Sequence, residues 1–388
     1  MTEQTLGLYL HIPFCRERCS YCDFLTFPHA EALLRPYLEA LAKEIRLWKR
    51  EREKGGEEGL PVDTIYLGGG TPSLLKADEL RRLFREVHEA FPISPRAEIT
   101  MEMNPEAEGD ARVLRALGIN RISLGMQTSS PRLLAQCRRT HRSEDGGKTM
   151  VALRSAGFDN INVDLIYGLP GQTRKDLEGD LNWLAIHDPD HVSWYGLILE
   201  ERSLLYQQVR QGTMQLPGED VQADEFSFLL AELDKLGYRR YEISNFSKVG
   251  KQSRHNLKYW TGKPYLGLGL GASSYLNGER YHNPGTFRQY FTALRQGRLP
   301  REWEERTKKD DIFERIMMGL RRVEGISFRD FALATGSALE SCVPKSMAKA
   351  CRQGLGEKTA DAFRLTRRGL DLQNRVLVDM MEEMEESL

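Results

Sequence analysis

The chain has 388 residues, 40% of them hydrophobic and 29% charged, with a formal net charge of −1 and six cysteines. Interspersed charges leave no electrostatic footprint for nucleic acid or an anionic membrane, and no apolar run approaches the roughly 20 residues of a spanning helix. The opening Met1-Thr2-Glu3-Gln4-Thr5 has no basic and apolar leader pattern, and the cysteines do not form a disulfide framework, so a cytoplasmic protein with one large and one smaller domain is expected.

Apolar strand-like runs alternate with amphipathic helices, the βα rhythm of a parallel sheet. The predicted strands are Leu6–Ile12, Asp63–Leu67, Glu98–Glu102, Arg121–Met126, Asn160–Ile166 and His191–Leu197. Six strands suit an α/β fold with an open, partial (β/α)6 barrel rather than a closed eight-stranded one. Ligand-binding loops in such folds gather at the C-terminal edge of the sheet, so residues just after each strand carry functional weight.

The loop after the first strand holds Cys15, Cys19 and Cys22 in C-x3-C-x2-C spacing. This suits three thiolates on three corners of one cubane iron–sulfur cluster, with the fourth iron left to bind a small molecule. The alternative is a zinc knuckle on Cys19-x2-Cys22. It needs two more ligands; His11 lies on the preceding strand, and no second C-x2-C or H-x3-H pair follows. Tyr21, beside Cys22, is placed to lie over the adenine of a nucleotide-bearing ligand. Cys137, Cys342 and Cys351 read as plain thiols.

Leu33, Tyr37, Leu41, Ile45 and Trp48 mark one buried helix face before the charged run Lys49–Lys54, read as a solvated helix end. The second strand runs into Gly68-Gly69-Gly70-Thr71-Pro72-Ser73. A phosphate loop would need G-K-[ST]; three glycines instead let backbone N–H and C=O groups approach a ligand closely. Later strand ends supply Glu102, Gln127 and Asp164, with Arg139 one helix beyond Gln127. The carboxylates can accept from ribose hydroxyls, and an arginine can clamp a carboxylate.

After Gly212 the βα rhythm fades into a helix, Glu219–Leu236, and the stretch Tyr238–Phe246, so residues 1–212 are expected to form the barrel and 213–300 a connecting region. That region carries Arg254-His255-Asn256-Leu257-Lys258-Tyr259-Trp260, an H-N-x-x-Y-W motif. Histidine is a natural axial ligand for haem iron, and Tyr259 and Trp260 offer flat faces to a porphyrin. Gly267-x-Gly269-x-Gly271-Ala272 lacks the dinucleotide spacing and is read as a tight strand and turn lining the ligand cavity. Residues 301–388 hold an amphipathic helix (Ile312, Phe313, Ile316, Met317, Leu320), an expected hairpin over Phe363–Asn374 and a last helix ending in acidic Glu382–Glu386. This order resembles a small winged-helix-like α+β domain, and with no basic face DNA binding is not expected.

His11-Ile12-Pro13-Phe14-Cys15 with Tyr21-Cys22-Asp23-Phe24 resembles the opening of radical S-adenosylmethionine proteins of the coproporphyrinogen-oxidase-like branch. The resemblance implies a [4Fe–4S] cluster on Cys15, Cys19 and Cys22 whose open iron chelates S-adenosylmethionine. Residue by residue, Tyr9, Gly70, Thr71, Glu102, Gln127, Arg139 and Asp164 match that branch's contacts to S-adenosylmethionine. The H-N-x-x-Y-W motif, with Tyr241-Glu242-Ile243-Ser244-Asn245-Phe246, resembles HemW-type haem chaperones, which implies haem bound at His255, Tyr259 and Trp260.

Two departures bear on function. Where the oxidases carry a fourth cysteine this chain has Phe24, and only a few residues precede Leu6. The resemblance therefore implies a chaperone that binds haem and passes it to apo-haemoproteins, with transient contact to membrane haemoproteins allowed. The alternative is a radical enzyme acting on a tetrapyrrole, such as oxidative decarboxylation of coproporphyrinogen III.

Overall fold

The structure, a computed structural model, describes residues 4–54, 60–105 and 110–386; Met1 to Glu3 of the N-terminal segment lie outside the described residues. The strands in chain order are β1 (Leu6–Ile12), β2 (Phe14–Cys15), β3 (Phe27–Pro28), β4 (Val62–Gly69), β5 (Ile93–Met103), β6 (Arg121–Gln127), β7 (Ile161–Tyr167) and β8 (His191–Gly196). They continue with the short β9 (Arg239–Arg240), β10 (Asn245–Ser247), β11 (Tyr265–Leu268), β12 (Ser273–Leu276), β13 (Glu279–His282) and β14 (Glu302–Trp303). One sheet of twelve strands takes the order β14-β13-β12-β11-β1-β4-β5-β6-β7-β8-β10-β9. Its centre, β1 through β8 without the two-residue β2 and β3, is parallel throughout and forms the partial six-stranded barrel.

Period-two alternation sorts each central strand into two faces. Leu6, Leu8, Leu10 and Ile12, or Ile65 and Leu67, are buried outward under the helices. The polar set Tyr9, His11, Thr64, Tyr66, Glu98, Thr100 and Glu102 shares the inner face. The covering helices are α1 (Leu34–Lys54), α2 (Ala77–Ala90), α3 (Ala111–Ala116), α4 (Pro131–Gln136), α5 (Ser143–Ser155), α6 (Arg174–His187), α7 (Leu204–Arg210) and α8 (Glu219–Lys235). Helix α2 presents Leu80, Leu83, Phe84 and Val87 to the sheet, and α1 buries Tyr37, Leu41, Ile45 and Trp48 as its spacing predicts, whereas Leu33, expected on the same face, ends the turn before the helix and is exposed. At the end of α1, Arg50, Glu51 and Glu53 are solvent-exposed.

Residues 213–300 do more than connect. They add β9–β13 to the two edges of the sheet, with β14 following just beyond, and Tyr238, Phe246, Leu266, Tyr281, Tyr290 and Leu294 belong to the same core as the barrel strands. The hairpin β12–β13 turns at Asn277-Gly278, both with positive φ (55° and 81°), as an Asn-Gly hairpin turn requires. Two further helices lie here, α9 (Arg254–Thr261) and α10 (Phe287–Arg295).

A second core, from Ile312 to Met384, belongs to the small C-terminal domain. Its order is α11 (Lys308–Leu320), β15 (Ile326–Ser327), α12 (Phe328–Thr335), α13 (Leu339–Cys342), α14 (Pro344–Arg352), β16 (Gly356–Lys358), β17 (Ala362–Leu365), α15 (Arg367–Asp371) and α16 (Gln373–Glu386), with β15-β17-β16 as a three-stranded sheet. This is a winged-helix-like α+β arrangement. The expected hairpin over Phe363–Asn374 is corrected: the hairpin is β16–β17, and Thr366 accepts from Gly369 N–H to start α15.

Candidate cluster and ligand site

The cysteine loop leaves β1 at the C-terminal edge of the barrel and is closed at its root. Phe14 and Cys15 pair in parallel with Phe27 and Pro28, Phe27 N–H donates to Pro13 O at 2.7 Å, and His11 Nε2 lies 3.0 Å from Leu25 O. Between those anchors Cys15, Cys19 and Cys22 stand half-buried on the wall of a cavity of about 890 Å³. Its other walls come from β4 to β8 and the segments that follow them, which bring Gly70, Thr71, Glu102, Gln127, Arg139 and Asp164 to the same space. Tyr21 lines it too, its ring packed with Leu133, Cys137, Ile166 and Leu169.

The sulfurs are provided with donors and a cation. Thr71 Oγ1 donates to Cys15 Sγ at 3.6 Å and Arg139 Nη1 to Cys19 Sγ at 3.3 Å. Burial pushes the Cys15 thiol up and the Cys22 thiol to about 11, with neighbouring cysteine charges adding to both. Three crowded thiolates therefore need positive charge among them, which iron supplies, so the donor set fits a cluster. A single zinc ion fits less well: among the described residues no three His, Cys, Asp or Glu side chains gather as an ion site does. His11 is engaged at Nδ1 with the Tyr9 hydroxyl (2.9 Å) and at Nε2 with Leu25 O.

Around the cavity, Glu102 accepts from Tyr66 Oη (2.9 Å) and Gly69 N–H (3.0 Å), and burial followed by the Asp164 charge pushes its carboxyl up to about 7. Asp164 accepts from Ser123 Oγ and Asn162 Nδ2, both at 2.9 Å, and burial raises it. Arg139 reaches Asn104 Oδ1 (2.8 Å) and Gly125 O (2.6 Å) through Nη2. Gly125 is the clearing where these groups meet. A Cβ there would stand 3.1 Å from Gln127 Nε2, 3.4 Å from Arg139 Nη2 and 3.5 Å from Asn104 Oδ1.

Asn104 and Ser123 were not singled out from sequence. Asn104, in Asn104-Pro105 just past a strand end, carried a readable signal; Ser123 lies inside a strand and carried none.

Two placements differ from expectation. Tyr9 alone of the seven matched positions is absent from the cavity wall: it lies behind Tyr66, ring centroids 6.2 Å apart. The turn at Gly267–Ala272 also misses the cavity. Gly269 (φ 99°) sits where a Cβ would meet Tyr37 Oη and His11 O, so its role is close packing of β11 against α1 and β1.

The H-N-x-x-Y-W motif forms α9, which crosses the opposite, N-terminal end of the barrel as its floor. Glu98 caps this helix, accepting from Arg254 N–H (3.1 Å) and His255 N–H (3.0 Å). Lys258 pairs with Asp63 at 2.6 Å. His255 is fully buried, with Nδ1 on Thr64 Oγ1 and Nε2 on Tyr259 Oη, each at 2.9 Å. Burial, then the Lys258 and Arg121 charges, push the ring down to about 3, so it is neutral. Neither nitrogen faces the cavity, and Trp260 lies under the guanidinium of Arg321, the residue just past α11, at 4.5 Å.

A barrel of six parallel strands with three cysteines and a polar ring at its C-terminal mouth defines a radical S-adenosylmethionine protein. Matching profiles agree: the radical SAM superfamily over residues 9–184 and the HemN C-terminal domain over residues 307–372. Among solved structures, coproporphyrinogen III oxidase (HemN) from Escherichia coli superposes with a TM-score of 0.82 over 97% of this chain and 90% of that one, at 24% identity, a likeness of fold.

Curated relatives named heme chaperone HemW include those of Bacillus subtilis, 34% identical over 97% of this chain and 99% of that one, and Lactococcus lactis, 35% identical over 97% of each. The Escherichia coli protein of that name is 32% identical over 96% and 97%. The chain belongs to the HemW family of haem chaperones.

Proposed function

We propose that this protein holds a [4Fe–4S] cluster on Cys15, Cys19 and Cys22, binds S-adenosylmethionine beside it, and binds haem for delivery to apo-haemoproteins. One observation carries the reading: the three cysteines share a cavity with Glu102, Gln127, Arg139 and Asp164, while the residue at the oxidases' fourth-cysteine position, Phe24, is 63% exposed. When bound, such a cluster supplies an iron without a protein ligand and a single electron.

The chain's own residues do the rest. Thr71 and Arg139 orient two of the sulfurs, and Gly70 backs the turn that faces the cysteine loop. Glu102 and Asp164 accept ribose hydroxyls, Arg139 clamps a carboxylate, and Tyr21 with its apolar neighbours covers a flat ring and keeps water out.

For His255 to ligate haem iron, Nε2 has to exchange the Tyr259 hydroxyl for the metal and α9 has to leave the floor. Anaerobic preparation followed by iron and sulfide analysis, haem titration and transfer to an apo-haemoprotein tests the whole reading. Zinc in place of iron, or a Soret band absent after titration, overturns it. A Soret band that persists in His255→Ala removes this residue from the haem site alone.

The retained polar ring favours one second reading, radical chemistry on a tetrapyrrole. Reconstituted protein given S-adenosylmethionine, reductant and coproporphyrinogen III would then form protoporphyrinogen IX; an intact cluster with no product rejects it.

A further inference from the structure

Gln127 is held in a backbone conformation that glutamine rarely adopts. Its φ is 67°, and Thr128 N–H donates to Met126 O at 2.9 Å across it, closing a three-residue turn with a left-handed centre. Strand pairing slips at the same point, between Gly125 and Gln127. Left to itself the segment would relax into ordinary strand geometry and turn the Gln127 amide away from Gly125. Something outside the turn must hold it.

The holding group is on α6. Asp180 is fully buried and is absent from the cavity wall. Its Oδ1 accepts from Ser129 N–H (2.5 Å), Ser129 Oγ (2.7 Å) and Thr128 Oγ1 (3.1 Å), and Oδ2 lies 3.2 Å from Thr128 Oγ1. Thr128 Oγ1 in turn accepts from Ser130 N–H at 3.1 Å. One carboxylate thus fixes the two residues that follow Gln127 and the entry to α4, the helix that ends just before Arg139.

We propose that Asp180 is a positioning residue for S-adenosylmethionine: through Thr128 and Ser129 it keeps the strained turn closed, so that the Gln127 amide stays beside Arg139 and Asn104 over Gly125. The proposal rests on the ligand reading above for its ligand, but not for its geometry. A buried carboxylate sharing several donors with one turn is a rigid clamp, and loosening a binding group by a fraction of an ångström is enough to be measured.

The test uses holoprotein with its cluster reconstituted, titrated with S-adenosylmethionine by calorimetry. Asp180→Ala should weaken binding about tenfold with iron content and cluster absorption unchanged. Asp180→Asn, which keeps an acceptor for Ser129 N–H, should lose less and serves if the alanine variant fails to fold. On a Gln127→Ala background, Asp180→Ala should cause no further loss, since its effect passes through that side chain. Wild-type affinity in both Asp180 variants, or an undiminished loss on the Gln127→Ala background, overturns the proposal. Amide hydrogen exchange judges the clamp without the ligand: residues 127–130 should exchange faster in Asp180→Asn while β5 and β7 do not change. Unchanged exchange there also overturns it. Wild-type protein that binds no S-adenosylmethionine sinks the ligand reading instead.

Discussion

The two ends of the barrel carry the two motifs most visible in the chain, and they treat their polar atoms in opposite ways. At the C-terminal mouth the sulfurs, Glu102 and Asp164 keep acceptor capacity turned toward a cavity. At the floor, His255 and Lys258 spend theirs on Thr64, Tyr259 and Asp63, and Glu98 closes the helix N-terminus above them. Buried polar groups are satisfied within the protein unless a ligand satisfies them. The mouth is arranged as a site, and the floor as the base on which Tyr66, stacked 5.2 Å from the His255 ring, presents its hydroxyl to Glu102.

Breaking the mouth should have the largest effect. Cys19→Ala removes the sulfur to which Arg139 donates and is expected to abolish the cluster, read as loss of its visible absorption and of bound iron. A retained four-iron spectrum would show the ligand set to be wrong.

Next comes Gly70→Ala. The added methyl would lie 2.5 Å from Phe14 O and 2.9 Å from Ile12 O, both backbone atoms that cannot step aside. It should destabilise by about 1–3 kcal/mol in chemical denaturation and lower cluster occupancy. Wild-type behaviour in both would show that the close approach is not real.

The floor should respond in stability before it responds in ligand. His255→Ala opens a cavity and orphans Thr64 and Tyr259, an expected loss of about 2–4 kcal/mol. His255→Gln sharpens the point through pH. The folded ring is pushed down to about 3, below the roughly 6.5 of an unfolded histidine, so its contribution is complete above the unfolded value and is lost as pH falls between the two. The stability gap between wild type and His255→Gln should narrow over that window. A gap independent of pH would mean that the ring is not buried neutral.

The smallest effect concerns Glu102. With its carboxyl pushed up to about 7 in the free protein, the full acceptor capacity of the carboxylate for ribose hydroxyls is present only above that pH. S-Adenosylmethionine affinity should fall severalfold as pH drops through about 7, and Glu102→Gln should flatten that profile. An identical slope in the variant would assign the titration elsewhere.

The mouth was legible in the sequence because parallel strands are short apolar runs and the residues just past them are unencumbered by packing. All six predicted central strands overlap the observed ones. The Glu98–Glu102 strand begins earlier, at Ile93, because Pro95 and Arg96 mask its exposed start. The outer strands β9, β10 and β12 to β14 were missed: at two to four residues they are too short to show a period, although Asn277-Gly278 was a hairpin signal in plain view.

The floor was less legible because a motif lists residue types and not their partners. The atoms that occupy His255 come from Thr64, 191 positions away, and from Tyr259 within the motif itself. Asp180 was invisible for a similar reason. It sits mid-helix among ordinary charges, and only the fold brings it to Ser129.

The third glycine of the glycine run has a wider consequence. Gly70 N–H donates to Ile12 O and Thr71 N–H to Phe14 O, at 2.9 and 2.8 Å. The glycine turn is thereby riveted to the root of the cysteine loop, leaving no room for a side chain between them. Neither segment can be lengthened, grafted or diversified alone; a library or chimera must carry both as one cassette.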